Sequence, residues 1–200
     1  MKRKLRDILK PAVTLFIICL IVTAALAFTH AATKETIEAR AELDKLNARK
    51  AVLSNATTFE AIEDLDSLLN GKNGQSIVKE GYRGLNNGDF EGFVFLVTTK
   101  GYGGEMILTV GVDKEGKVSG AKIGENSETP GLGGKAQDKA FISQFYGLSI
   151  GEKLTTVRGK KTKPVEIQAI SGATITTKAV TEAVQTAIDA AGELMEKEGV

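Results

Sequence analysis

The 200-residue sequence has no tryptophan, one cysteine, one histidine and three prolines. Each shortage removes a class of chemistry. With Cys19 alone, neither a disulfide framework nor a thiolate metal site or iron–sulfur cluster is available. The lone histidine, His30, adjoins an apolar N-terminal run, where such a residue reads as a membrane-interface side chain. Ser-His-Asp and Cys-His units therefore lack their base, and no catalytic residue is expected. An excess of one charge is missing too. The 26 basic and 25 acidic residues leave a formal net charge of +1, which argues against a nucleic-acid partner. No Gly-x-Gly-x-x-Gly fingerprint followed by an acidic residue is present, so the chain is not expected to bind NAD itself.

The sequence does contain one long apolar run. Lys2, Arg3, Lys4, Arg6 and Lys10 precede a stretch from Pro11 to Thr33 without a Lys, Arg, Asp or Glu. Roughly 20 apolar residues at about 1.5 Å each cross a hydrocarbon core of about 30 Å. The basic cluster predicts a cytoplasmic N-terminus, with everything after the span outside. Ala25-Leu26-Ala27 offers a rival reading as a signal-peptide cleavage site. The apolar run is longer than a signal h-region of about 7–15 residues, which favours an uncleaved single-pass anchor in membrane lipid. The expected organisation is a basic cytoplasmic segment at 1–10, a transmembrane helix at 11–32, a helical connector at 33–72 and an extracytoplasmic domain at 73–200.

Within the connector, Lys34 to Ser54 is rich in Ala, Glu, Lys and Leu and predicts a helix. Thr57 or Thr58 then caps a second helix, with Glu60 and Glu63 in its first turns and Gly71 past its end. From Asn73-Gly74 onward the character changes to strands and turns. Strands are expected at 76–79, 92–99, 105–112 and 117–123, the last pair joined by the Asp113-Lys114-Glu115-Gly116 turn. Short turns between neighbouring strands indicate an antiparallel sheet, so the fold class is α+β, with helices packed on a mainly antiparallel sheet. Lys135 to Tyr146 predicts a helix with Ala140, Phe141, Ile142 and Phe145 inward.

Three stretches carry candidate chemistry. Gly101-Tyr102-Gly103-Gly104 lets a backbone come close to something, with Tyr102 as a flat wall, although a plain hairpin loop explains it as well. Glu128-Thr129-Pro130-Gly131-Leu132-Gly133-Gly134 combines a Pro-Gly turn with an apolar Leu on a bare backbone, suited to a flat aromatic ligand or to an ordinary long turn. The third follows the alternating run Val165 to Ile170. Ser171-Gly172-Ala173-Thr174 opens an amphipathic helix whose buried face is Val180, Val184, Ile188, Ala191 and Met195. A small-residue turn at a helix start offers unpaired N–H groups and a positive dipole end, which favour a phosphate. Arg158, Lys160, Lys161 and Lys163 lead towards it, as a solvated loop or as an attraction for a phosphate-bearing partner. The residues do not by themselves choose among the hydroxyls of Thr174, Thr176 and Thr177.

The single anchor, the Gly-Tyr-Gly-Gly loop, the Glu-Thr-Pro-Gly-Leu-Gly run and the Ser-Gly-Ala-Thr turn, in this order, resemble the flavin-binding G subunit of the Rnf complex. The C subunit of the sodium-pumping NADH–quinone reductase is similar and is the alternative. The resemblance implies FMN bound covalently through its phosphate as an ester to Thr174, attached by a separate flavin transferase that takes FMN from FAD. It implies that Ser171, Gly172 and Ala173 form the attachment turn. Glu128, Thr129, Gly131 and Leu132, with Tyr102 and Gly103, would lie against the ring. It implies electron transfer among the other membrane subunits of an ion-translocating ferredoxin–NAD oxidoreductase. One position departs from the family pattern: Gln168 stands where an acidic residue usually does, three before the Ser, and Glu166 lies two residues earlier. From the residues alone, an anchored module that binds a phosphate ligand reversibly, without redox chemistry, is the competing reading.

Overall fold

The computed structural model describes residues 2–63, 65 and 77–199, with side chains from Lys10 onward. The chain divides into two units, residues 1–45 and 46–200. The first is helical. Helix α1 (Lys2–Val52) covers it and contributes its last turns to the second unit. An 18-residue window of α1 has a mean hydropathy of 2.6, and none of it is buried, the character of a candidate membrane span. The hydroxyls of Thr14 and Thr29 donate to the carbonyls of Lys10 and Ala25, each at 2.9 Å. These two polar groups are thus satisfied within the helix, as an apolar surrounding demands.

The second unit is built on a five-stranded antiparallel meander: β1 (Thr58–Ala61), β2 (Ile77–Asn86), β3 (Asp89–Lys100), β4 (Glu105–Asp113) and β5 (Val118–Ile123). Asn87 and Gly88 close the β2–β3 hairpin at φ of 53° and 94°, the left-handed pair that a tight primed turn needs. The β4–β5 turn is held by Asp113, whose Oδ1 accepts the N–H groups of Glu115 and Lys117 at 3.1 and 2.8 Å. After the sheet come a 3₁₀ turn (Gly133–Gln137), the short α2 (Lys139–Ile142), a second 3₁₀ turn (Ser143–Phe145), β6 (Thr155–Val157), β7 (Glu166–Gln168) and the long α3 (Thr174–Glu198).

Period-two alternation puts Phe93, Phe95 and Val97 of β3 and Met106, Leu108, Val110 and Val112 of β4 on one face, all fully buried. Helix α3 covers that face with Val180, Val184, Ile188 and Ala191, as its period predicts, while Met195 is half-buried at the margin. The opposite face of the sheet takes the end of α1. Val52, Leu53 and Ala56 pack with Val94. Glycines of β2, β4 and β5 make room for them. A Cβ at Gly120 would stand 2.8 Å from Val52 Cα, and one at Gly84 would stand 3.0 Å from Ala56 Cβ. The last carbonyls of a helix have no internal donor; here the Ser119 hydroxyl donates to Val52 O at 2.6 Å.

Two expectations are corrected. Thr57 does not cap a helix: its N–H and hydroxyl donate to Leu85 O at 2.8 and 3.2 Å, and Thr58–Ala61 pairs as a strand with β2. An open sheet edge outweighs the local helix signal at Thr58, Glu60 and Glu63; the proposed end at Gly71 lies outside the described residues. The expected helix from Lys135 to Tyr146 is broken at Asp138. Its extended backbone (φ −66°, ψ 137°) resets the chain, and its carbonyl accepts the N–H groups of Phe141 and Ile142. Phe141, Ile142 and Phe145 are inward as expected, but Ala140 is exposed. Within the alternating run 165–170, strand β7 is short and pairs in parallel with β6, apart from the antiparallel sheet.

Candidate functional site

Strand β7 feeds the site and is fixed at its end by one side chain. Gln144 accepts the Gln168 N–H at 2.8 Å and donates to the Gln168 carbonyl at 3.3 Å. The chain then reverses over Ile170-Ser171-Gly172-Ala173, with the Ala173 N–H donating to Ile170 O at 2.9 Å. Gly172, at φ 77°, occupies the turn position where a positive φ is required. Helix α3 begins at once. Its N-cap, Ala173, has no side chain able to accept a hydrogen bond, and no acidic residue stands in the first turn. The Thr177 N–H is bonded to Ala173 O at 3.0 Å. The N–H groups of Thr174, Ile175 and Thr176 precede it and have no partner within the helix. This end of α3 is electropositive and suited to an anion.

The structure separates the three threonines that the residues alone could not. Thr176 and Thr177 are fully buried. The Thr176 hydroxyl donates to Glu128 Oε2 at 2.9 Å, and the Thr177 hydroxyl donates to Ala173 O at 2.9 Å and accepts the Ile170 N–H at 3.1 Å. Thr174 is half-buried, and its hydroxyl makes no hydrogen bond among the described residues. It opens on a cavity of about 390 Å³ lined by the 172–176 segment, Tyr102, Glu128, Thr129, Leu132 and Gly133. That size falls within the range of small-molecule and cofactor sites, about 300–1,000 Å³.

The walls of the cavity are mostly apolar. Tyr102, Leu132 and Ile175 are 72%, 44% and 56% exposed, so three large, mainly apolar side chains face open space around the Thr174 hydroxyl. Such exposure of grouped apolar surface marks a binding place. Ile175 was not singled out in the sequence, although its position next to Thr174 at a helix start was a signal. Ser171 and Gly131 are exposed and do not line the cavity; Gly131 sits at φ 79°, as the Pro-Gly turn requires. Gly103 does not line it either, and its N–H donates to Glu128 Oε1 at 3.0 Å.

Glu166 faces its own loop. Its Oε2 accepts the Thr162 N–H and hydroxyl at 2.7 and 3.0 Å and the Lys163 N–H at 3.2 Å. These hydrogen bonds, the Thr162 N–H first, hold its carboxyl below the ordinary glutamate pKa. It therefore organises the 158–165 loop and does not take the place of an acidic residue at position 168. Arg158, Lys160, Lys161 and Lys163 all stand exposed on that loop.

Comparison with known proteins agrees with this geometry. A family profile described as an FMN-binding domain matches residues 101–189, and one described as the RnfG N-terminal region matches residues 1–52. The G subunit of the Na(+)-translocating ferredoxin:NAD(+) oxidoreductase complex of Acetobacterium woodii is 37% identical over 187 residues, covering 90% of each chain. Its counterpart in the proton-translocating complex of Clostridium ljungdahlii is 37% identical over 145 residues, covering 71% of this chain and 74% of that one. A crystal structure of the C subunit of the Na(+)-translocating NADH-quinone reductase from Parabacteroides distasonis shares the fold, with a TM-score of 0.50 and 23% identity over 58% of this chain and 62% of that one. The chain belongs to the RnfG family, the G subunits of ion-translocating ferredoxin:NAD oxidoreductase complexes, and its residues 101–189 form an FMN-binding domain.

Proposed function

We propose that this chain is the electron-transfer subunit of an Rnf-type ion-translocating ferredoxin:NAD oxidoreductase and carries its FMN as a phosphate ester on Thr174. The observation that carries the reading is the state of the three neighbouring hydroxyls. Two are buried and engaged, and Thr174 alone is free, at the edge of a cavity and beside unpaired helix N–H groups. A phosphodiester there keeps one negative charge, which those N–H groups and the dipole of α3 stabilise. Tyr102, Leu132 and Ile175 supply flat and apolar surface for the ring, and Thr129 and the bare backbone at Gly133 allow its close approach. The flavin supplies the redox chemistry, and the protein supplies position, charge and shelter from water.

Residues 46–200 contain no histidine, and both oxygens of Glu128, the carboxylate that lines the cavity, are engaged by Gly103 and Thr176. Thr174 thus lacks a base to activate it, so a separate flavin transferase attaches the cofactor, with FAD as donor. The remaining membrane subunits of the complex are its partners. Residues 11–32 lie in lipid, the basic residues 1–10 stay in the cytoplasm, and the flavin domain is extracytoplasmic, as the charge asymmetry directs. An ester suits that side of the membrane, because it keeps the flavin in place where no free pool replaces it.

Intact mass and in-gel fluorescence of protein made in cells with the transferase test the assignment. The native chain is expected to carry FMN through denaturation and Thr174→Ala to carry none. A denatured Thr174→Ala protein that still holds flavin would overturn it.

A further inference from the structure

One charged side chain lines the cavity, and both of its oxygens are already engaged by the protein. Glu128 is 8% exposed. Its Oε1 accepts the Gly103 N–H at 3.0 Å, and its Oε2 accepts the Thr176 hydroxyl at 2.9 Å. Three segments distant in sequence therefore meet at one carboxylate: the 101–104 loop, the 128–134 loop and the first turn of α3. The glycines around it are explained by the same meeting. A Cβ at Gly101 or at Gly133 would overlap the carboxylate, and one at Gly103 would overlap the backbone carbonyl of Ser127, next to Glu128. Glycine in a fixed backbone carries an entropic penalty. Two of them against one carboxylate, and a third against the backbone beside it, indicate backbones that must close on this residue.

We propose that Glu128 is a positioning residue, a latch that joins these three segments and so sets the walls formed by Tyr102 and Leu132 on either side of the flavin. The family resemblance put Glu128 against the ring. Glu128 lines the cavity, and both of its oxygens are committed to Gly103 and Thr176, so it acts on the ring through the loops it holds. The ring-holding part rests on the FMN assignment above; the latch itself does not.

The test separates the two. In the full-length chain carrying Thr174→Ala, which has no ester-linked flavin, hydrogen exchange at the Gly103 amide reads the latch directly. Glutamine is the informative replacement, because its oxygen accepts from Gly103 while its NH₂ donates to a Thr176 hydroxyl that is equally able to accept. Glu128→Gln is expected to keep most of the protection at Gly103, and Glu128→Ala to lose at least tenfold. Wild-type protection in Glu128→Ala overturns the latch. Should Glu128→Ala fail to fold, Thr176→Val removes one donor without changing shape. It is expected to weaken protection at Gly103, and wild-type protection there overturns the proposal equally.

With Thr174 intact, flavin fluorescence anisotropy and visible circular dichroism read the ring. Both are expected near wild type in Glu128→Gln and reduced in Glu128→Ala, while intact mass shows the flavin still attached. An unchanged flavin signal in Glu128→Ala overturns the ring-holding part. Absence of flavin mass on the native chain would sink the FMN attachment instead and leave the exchange result standing.

Discussion

Leu53→Ala is expected to destabilise the second unit as strongly as a change in the middle of its core, although Leu53 lies just past the end of the helix that carries the candidate membrane span. Leu53 is 2% exposed and packs with Val52, Ala56 and Val94, against the half-buried Phe59 and Tyr82. Truncation removes buried carbons and leaves a cavity that rigid strands cannot collapse to fill. The cost of such a change is about 2–5 kcal/mol, a large part of a total stability of about 5–15 kcal/mol. For a unit of this size each kcal/mol lowers Tm by about 2–4 °C, so a fall of about 4–20 °C is expected. Thermal unfolding of the full-length protein in detergent, followed by the β-sheet circular dichroism signal, measures it. Leu43→Ala is the control: it lies in the same helix but is 59% exposed, and its effect should stay within about 0.5 kcal/mol. If Leu53→Ala and Leu43→Ala shifted Tm equally, or if Leu53→Ala shifted it by less than about 2 °C, the end of α1 would not be part of the domain core.

Other outcomes follow from the same geometry. Thr176→Ala and Thr177→Ala should still acquire flavin, because neither hydroxyl is reachable in the folded protein; intact mass reads this directly. Gly133→Ala forces a methyl group onto the Glu128 carboxylate and should cost about 1–3 kcal/mol, seen as a lower Tm together with a more mobile flavin. Glu128→Gln removes the charged side chain that lines the cavity, so a redox titration should show the flavin midpoint shifted upward, since a nearby negative charge opposes reduction. For Glu166, hydrogen bonding from Thr162 and Lys163 lowers the folded-state pKa below its unfolded value. Its contribution is therefore present above the unfolded pKa of about 4.3 and lost as pH falls through the lower folded value. The stability difference between native and Glu166→Gln protein, measured by denaturant unfolding, should be full at pH 7 and shrink in acid below that pKa.

Much of this fold was legible because burial is periodic. The α3 pattern Val180, Val184, Ile188 and Ala191 and the β3–β4 alternation each have one dry face, and a dry face shows itself in sequence. The strand Thr58–Ala61 did not show itself, because its order comes from the free edge of β2 and not from its own residues. The Lys135–Tyr146 segment misled in a different way: Phe141 and Phe145, whose rings meet edge-on at 5.6 Å, have helical spacing, but the reset at Asp138 is visible only in the backbone. At the site, the Ser171–Thr174 turn could be read from small residues at a helix start. Thr174 was singled out only by the family resemblance; the residues alone do not reveal what the hydroxyls of Thr176 and Thr177 donate to. The glycines at 101 and 133 were visible as part of a glycine density; the Glu128 carboxylate, between them in space and not in sequence, is the reason for these two.

The burial of Thr176 and Thr177 also bears on the order of events that the proposed attachment implies. On the ribosome or in an unfolded chain the three hydroxyls are chemically alike, and nothing nearby marks one out. They become unlike only when the helix has docked and two of them have turned inward. Under the proposed attachment to Thr174, loading with cofactor is expected to follow folding, with one flavin on each mature molecule.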